Sequence, residues 1–303
     1  MRVVVAATAN VAIPTLEWLL KSEHQLLHVV TTPDSKAGRG KSLNESPVAQ
    51  WALEKSIKVF KPSTPEEFIE AFKDCDIAIA IAYGKILNEE TLSIPKFGIL
   101  NLHFSLLPAY RGAAPVQRAL LNGDKITGIS VFKIDENLDT GPLYFQQAYE
   151  IPAMVNSGKV LEDLSRIGAL CFNEVLMDIA SGKIPTPQSD DGVSFAPKVS
   201  KEEAFIQWSN KSQQIINLIN AFNPVPGAWT RFRGETVRIL EVSARRSSDE
   251  LTPGTLCAEE KKLFVGTGES SIEILRLIPS GKKEMLASDW LNGARLNVGE
   301  KFE

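Results

Sequence analysis

The first 135 residues alternate short apolar runs with amphipathic stretches, and this alternation restricts the fold more than any other feature of the chain. RVVVAA (2–7), LLHVVTT (26–32) and CDIAIAIAY (75–83) are nearly continuous hydrophobic runs of strand length, the pattern of strands buried on both faces. Between them, IPTLEWLLKS, SPVAQWALEKS and TPEEFIEAFKD carry apolar residues at helical spacing, and Thr64 followed by Pro65 has the form of a helix start. KVF, FGILNLHF, APVQRALLNG and GISVFKI continue the series. Strands that alternate with helices predict an α/β fold with a doubly wound, mostly parallel sheet, and ligands then sit beyond the carboxyl ends of its strands.

Past a long helical pattern (157–183) the periodicity stops. IPTPQSDDGVSFAPKVSKEE gathers Pro, Ser, Gly and Asp and reads as a linker. One helix, SQQIINLINAF, then leads to the short alternating runs TVRILEVSA, GTLCA, KLFVGT and SIEILRLI, whose spacing suits a small C-terminal β-barrel of the OB-like kind. The predicted division is 1–182, a linker at 183–203, and 204–303. A chain of 303 residues, 44% hydrophobic, has the material for two cores.

Composition excludes several classes. No apolar run approaches the roughly 20 residues of a membrane span, and the N-terminus enters a strand pattern directly, so a cytoplasmic protein is expected. Cys75, Cys171 and Cys257 are odd in number and far apart, which predicts neither a disulfide framework nor a metal knuckle. The first βα turn, AATANVAI, lacks the glycines of a dinucleotide fingerprint. A net charge of −4 leaves nucleic-acid binding to a local patch, and residues 201–303 carry equal numbers of acidic and basic side chains.

Four features invite a chemical reading, and each has a structural one. SKAGRGKS (35–42) nearly spells a phosphate-binding loop, but Ser35 stands where the first glycine belongs. Its cations Lys36, Arg39 and Lys41 either face water or replace counterions along a nucleic-acid backbone. His24 and His28, four apart, fall on a turn and a strand rather than one helix, so exposure or helix capping is expected instead of metal binding. Trp18, Trp51 and Phe72 are core candidates. Asn101 and His103 lie on one face of an apolar strand, opposite Leu100, Leu102 and Phe104. Core hydrogen bonding explains such a pair; so does a catalytic pair completed by a carboxylate that holds one imidazole nitrogen while the other accepts a proton. KIDENLDTGP supplies Asp135, Glu136 and Asp139, and spacing does not choose among them. With no nucleophilic Ser or Cys in the motif, the chemistry that fits is direct attack of an amine on a carbonyl.

NLHFSLLPAYRGAAPVQRALLNGD, TGISVFKIDENLDTGPL and AIAYGKIL resemble the folate-dependent formyltransferases. The resemblance selects Asp139 beside Asn101 and His103 as the catalytic set. It implies 10-formyltetrahydrofolate as donor, with Ser105, Leu106, Leu107 and Pro108 in a folate loop, and the Ala82 to Leu87 segment, including Tyr83, Gly84 and Ile86, lining the pteridine pocket through its backbone. Two further segments, TTPDSKAGRGKSLNESPV and AFNPVPGAW, are similar to the branch of the family that formylates methionine on initiator tRNA. That branch implies Lys36, Arg39 and Lys41 at the acceptor stem, a C-terminal barrel on the tRNA with Arg231, Arg233, Arg238, Arg245, Arg246, Lys282 and Lys283 as its cations, and a monomer that needs no metal. Where the family has a Gly-Thr-Pro turn, this chain has Ala7, Thr8 and Ala9.

Other readings make different demands. A formyltransferase acting on a small amine, such as glycinamide ribonucleotide or an amino sugar nucleotide, has no use for a basic loop and an extra domain. A non-catalytic RNA-binding module has no use for His103, and a nucleotide hydrolase would depend on Lys41.

Overall fold

The apolar runs form the strands and the amphipathic runs the helices that cover them. In a computed structural model describing residues 1–37, 42–247 and 250–303, the first part of the chain contains β1 (Arg2–Ala7), α1 (Ile13–Leu19), β2 (Gln25–Val30), β3 (Ser35–Ala37), β4 (Ser42–Asn44), α2 (Pro47–Glu54), β5 (Val59–Phe60) and α3 (Pro65–Phe72). There follow β6 (Ile77–Ile81), α4 (Glu89–Leu92), β7 (Ile99–His103), α5 (Pro115–Asn122), β8 (Ile126–Lys133), β9 (Leu143–Glu150) and α6 (Ser157–Ala180). The chain divides into two compact units. One comprises Met1–Pro115, Ile126–Glu150 and Leu161–Pro197; the other comprises Val116–Lys125, Ile151–Val160 and Lys198–Glu303.

The sheet of the first unit has the order β5-β2-β1-β6-β7-β8-β9, parallel as far as β7 and antiparallel in its last two strands. Val3, Val4, Val5, Ile77, Ile79 and Leu100 are fully buried, as strands covered on both faces require. The Thr64 hydroxyl accepts from the Glu67 N–H and Glu67 answers at the cap backbone, so the helix start read at Thr64-Pro65 is a capping box. Two features depart from expectation. The basic loop begins and ends as an antiparallel hairpin, β3–β4, and LYFQQAYE forms β9, an edge strand whose outward residues are too polar to register as an apolar run. His28 is buried rather than exposed. Its Nε2 donates to the Ala71 carbonyl, 2.7 Å away, satisfying a carbonyl in the last turn of α3. Cys75 and Cys171 are buried, and burial pushes both thiols up to about 12, so they pack as small inert hydrophobes.

The second unit holds α7 (Ser212–Phe222), β10 (Trp229–Phe232), β11 (Glu235–Ser243), β12 (Leu256–Glu259), β13 (Lys262–Gly266), β14 (Ser271–Pro279), β15 (Met285–Leu286) and α8 (Ala287–Ala294). Its antiparallel sheet runs β10-β11-β14-β13-β12, with β15 beside β14. The two edges, β10 and the start of β12, are both met by the end of the chain. Phe302 bridges Phe232, and Lys301 bridges Thr255. An edge satisfied in this way offers no free ladder, and the curled sheet closes toward an OB-like barrel. Phe302 is buried, stacks on Trp208 with centroids 5.6 Å apart and meets Phe232 and Trp290 within 6.0 Å. Replacing Phe302 by Ala should destabilise this unit by about 3–5 kcal/mol. Urea unfolding measures it, and a loss below about 1 kcal/mol would mean that the closure does not depend on this side chain.

Candidate active site

Asn101 and His103 project from the carboxyl-terminal half of β7, where Asn101 is paired with both β6 and β8 and His103 with β8. The next face of the same strand is core: Leu102 packs so closely on Gly168 of α6 that a Cβ there would lie 2.5 Å from it. His103 is only 6% exposed. Its Nε2 lies 2.8 Å from the Tyr110 carbonyl, and a carbonyl only accepts, so the neutral ring carries its proton on Nε2. Nδ1 is therefore the basic nitrogen. It faces the Asp139 Oδ2 at 3.7 Å, beyond hydrogen-bond range but close enough for strong electrostatic coupling. Burial pushes the imidazole below its ordinary value, opposed by the Asp139 charge and the Tyr110 carbonyl, so the resting ring is neutral at pH 7.

This corrects one detail of the sequence reading. A main-chain carbonyl, not the carboxylate, holds the imidazole, and the carboxylate stands on the side of the basic nitrogen. Among the three carboxylates in the segment, Asp139 is the one placed against His103. Its Oδ2 accepts from the Gly112 N–H at 2.7 Å, while Asp135 is turned to its own loop, bonding Thr140 and Asn137. Tyr110 and Asp139 both have left-handed backbones, at φ +61° and +53°. Such conformations are costly for residues with a Cβ and persist where surrounding bonds enforce them.

A cavity of about 510 Å³ opens beside these groups, lined by Asn101, His103 and Asp139 together with Tyr83, Gly84 and Ile86. The 82–87 segment leaves β6 through left-handed Ala82 (φ +46°) and Gly84 (φ +73°), and nothing lies within 4 Å of where a Gly84 Cβ would be. Its main chain is thus open to a ligand. The Tyr83 hydroxyl is buried and makes no hydrogen bond among the described residues, while burial pushes it up to about 12. Thr8, between the two alanines that replace the family's Gly and Pro, ties the end of β1 to this segment by donating to the Tyr83 carbonyl at 3.3 Å. A largely apolar cavity beside open main chain fits a flat heterocycle with hydrogen-bonding edges.

Ser105, Leu106, Leu107 and Pro108 do not line this cavity. The loop is pinned from behind. Ser130 Oγ donates to the Ser105 carbonyl at 2.7 Å and accepts from the Leu107 N–H, and Gln146 donates to the Leu107 carbonyl. Through these bonds the loop delivers the Tyr110 carbonyl to His103.

Gln188 belongs to the same neighbourhood, although its aperiodic stretch offered no signal. Its Nε2 donates to the carbonyls of Asp139 and Gly141, each at 2.8 Å, and its Oε1 accepts from Arg111 at 2.7 Å. Residues 194–196 continue along the same loop. Arg111 N–H donates to Ser194 O, Ala196 N–H donates to Arg111 O, and the Ser194 hydroxyl accepts from the Tyr110 N–H.

Of the basic-loop residues, Lys36 lies on β3, whereas Arg39 and Lys41 lie outside the described residues. The legs of the hairpin meet at Lys61, whose Nζ is 2.7 Å from Asp34 and 3.2 Å from Glu45. In the second unit, Arg231, Arg245, Arg246, Lys282 and Lys283 are exposed. Arg238 is half-buried and donates to the Pro224 carbonyl, and Arg233 pairs with Glu300.

An Asn and a neutral His lie at the mouth of a parallel strand with a carboxylate beside the basic nitrogen, an arrangement able to serve direct acyl transfer, and the chain belongs to the formyl transferase family. The formyl transferase model matches residues 1–176, and the model of the family's C-terminal domain matches residues 198–295. Within the family, the chain is 43% identical over its full length to methionyl-tRNA formyltransferase of Thermobifida fusca, covering 99% of that protein. It is 42% identical to that of Salinispora tropica and 41% to that of Streptomyces coelicolor, again across 99% of each chain. Among solved structures, HypX from Aquifex aeolicus superposes with a TM-score of 0.72 at 17% identity over 99% of this chain, which spans 50% of HypX. Methionyl-tRNA formyltransferase from Clostridium thermocellum superposes at 0.56 with 16% identity, over 91% of this chain and 99% of that one. These two share its fold. No helix among the described residues is long and apolar enough to cross a membrane.

Proposed function

We propose that this chain transfers the formyl group of 10-formyltetrahydrofolate to the α-amino group of methionine carried by initiator tRNA. The observation that carries the acceptor is that identity to the methionyl-tRNA formyltransferases runs the full length, through the C-terminal unit as well as the catalytic one. Residues 1–182 are the catalytic domain, 204–303 the tRNA-binding domain, and 183–203 join them. The enzyme works in the cytoplasm as a monomer.

The folate supplies an activated formyl group, and the chain does the rest. Nδ1 of neutral His103 accepts the proton of the attacking amine as the new C–N bond forms. The resulting imidazolium stands opposite the Asp139 carboxylate, which stabilises it, and Nδ1 returns the proton to the departing nitrogen as the old C–N bond breaks. One proton moves in and out, and the carbon changes nitrogen partners. The Asn101 amide donates to the carbonyl oxygen as it gathers charge, a contact worth about 3 kcal/mol when realised in the transition state. The 82–87 main chain, with Tyr83, Gly84 and Ile86, receives the pteridine, and Ser105 to Pro108, outside the cavity, support the folate side of the site without lining it.

Lys36, Arg39 and Lys41 contact the acceptor stem. Replacing Arg39 by Ala should weaken use of tRNA at least tenfold while leaving folate affinity unchanged, on the order of what one or two lost phosphate or base contacts cost. Equal loss of both affinities would contradict a tRNA-facing loop. The deciding experiment is a formyl-transfer assay with methionine-charged initiator tRNA, charged elongator tRNA and free methionine in parallel. Product from the initiator species alone supports the proposal, and transfer to a small amine in preference to tRNA would overturn it.

A further inference from the structure

Gln188 stands where three constraints on the site meet. Both hydrogens of its amide are used, on the carbonyls of Asp139 and Gly141, and its oxygen is used on the Arg111 guanidinium. Arg111 sits between the two residues that touch the His103–Asp139 pair. Before it is Tyr110, whose carbonyl fixes the imidazole proton; after it is Gly112, whose N–H holds the carboxylate. One planar amide therefore joins the loop that carries the carboxylate to the loop that orients the base. The joint is needed because both loops are left-handed at the critical residue, and each would relax toward an ordinary backbone if released. Gly112 itself leaves no room for drift. A Cβ there would lie 2.8 Å from the Ala196 carbonyl, so Ala196 packs against the loop that Gln188 and Ser194 also hold.

We propose that Gln188 is a positioning residue for the transfer reaction, clamping Asp139 against Nδ1 of His103 by donating two hydrogen bonds to the 139–141 main chain. It touches no reacting atom. The inference rests on the reaction proposed above, and it separates from it in the test.

Gln188→Ala removes all three bonds, whereas Gln188→Glu keeps the acceptor for Arg111 and loses both donors to the 139–141 carbonyls. Wild type and both variants are compared in single-turnover formyl transfer, in KM for tRNA, in thermal unfolding, and in the titration of the His103 ring by NMR. With three histidines in the chain, the His103 signal is identified by its loss in His103→Asn. Asp139 is the charged group against the ring, while Asp135, Glu136 and Lys85 line the same cavity.

Both variants should lose roughly 10- to 100-fold in the rate constant, the order expected for an ångström of misplacement. KM for tRNA should stay within about twofold, since the clamp does not meet tRNA. In Gln188→Ala the His103 midpoint should fall further below the ordinary histidine value, because the Asp139 charge that supports the protonated ring is no longer held against Nδ1 and burial is then less opposed. Wild-type rate in Gln188→Glu would overturn the proposal by showing that the donated bonds do not matter. So would a loss confined to KM. If Gln188→Ala unfolds, Gln188→Glu decides. If the wild-type protein transfers no formyl group to methionyl-tRNA, the function proposed above falls and the clamp is judged on the His103 titration alone: a fall in Gln188→Ala upholds it, and an unchanged or raised midpoint refutes it.

Discussion

His103→Asn is expected to lower the rate constant for formyl transfer by roughly 10²- to 10⁴-fold, with tRNA and folate affinities nearly unchanged. The expectation follows from the tautomer. Because Nε2 is committed to the Tyr110 carbonyl, Nδ1 is the nitrogen able to take a proton from the amine, and an asparagine at this position provides an amide of similar reach with no basic lone pair. Rapid-quench measurement of a single turnover isolates this step from binding and product release. A variant that kept its rate constant but lost tRNA affinity would make His103 a binding residue and would remove the base from the mechanism.

Asp139→Asn should cost about 10²- to 10³-fold in the same constant, and its pH behaviour has a definite sign. The carboxylate favours the charged imidazole, and its removal leaves burial less opposed, so the already depressed imidazole value moves further down. In the wild-type protein the ring loses its proton below the ordinary histidine value of about 6.5; in the variant it does so at still lower pH. The resting enzyme therefore remains in its neutral, competent form at pH 7 in both cases. What the variant loses is stabilisation of the imidazolium formed during turnover, so raising the pH cannot restore its rate. The substituted amide oxygen still accepts the Gly112 N–H, which keeps the loop in place and makes the change mainly one of charge. Recovery of activity at high pH would assign Asp139 a ground-state role instead.

The two halves of this site differed in how they could be read. Asn101 and His103 were legible because a strand has a period of two and a polar pair on one face of an apolar strand breaks its own pattern. The capping box at Thr64 and the parallel strands were legible for the same reason: the signals lie within a few residues of one another. Spacing narrowed the carboxylate only to a segment, since all three there have equal access in sequence; the family resemblance selected Asp139, and the hydrogen bond from Gly112 is what physically separates it from the other two. Gln188 gave no signal at all. Its three partners are 47 to 77 residues away, and it sits in a stretch whose lack of periodicity reads as a linker.

By itself, then, the sequence determined the parallel strands, the helices between them and the polar pair on β7, though not β9 or the β3–β4 hairpin, because burial periodicity and helix caps are local consequences of residue type. The family followed from motifs of the same local kind. The tertiary structure alone decided which nitrogen of His103 is basic, how the carboxylate faces it and what holds the two together. Those depend on main-chain carbonyls and N–H groups, which every residue carries and no sequence distinguishes until the fold brings particular ones within 3 Å of a side chain.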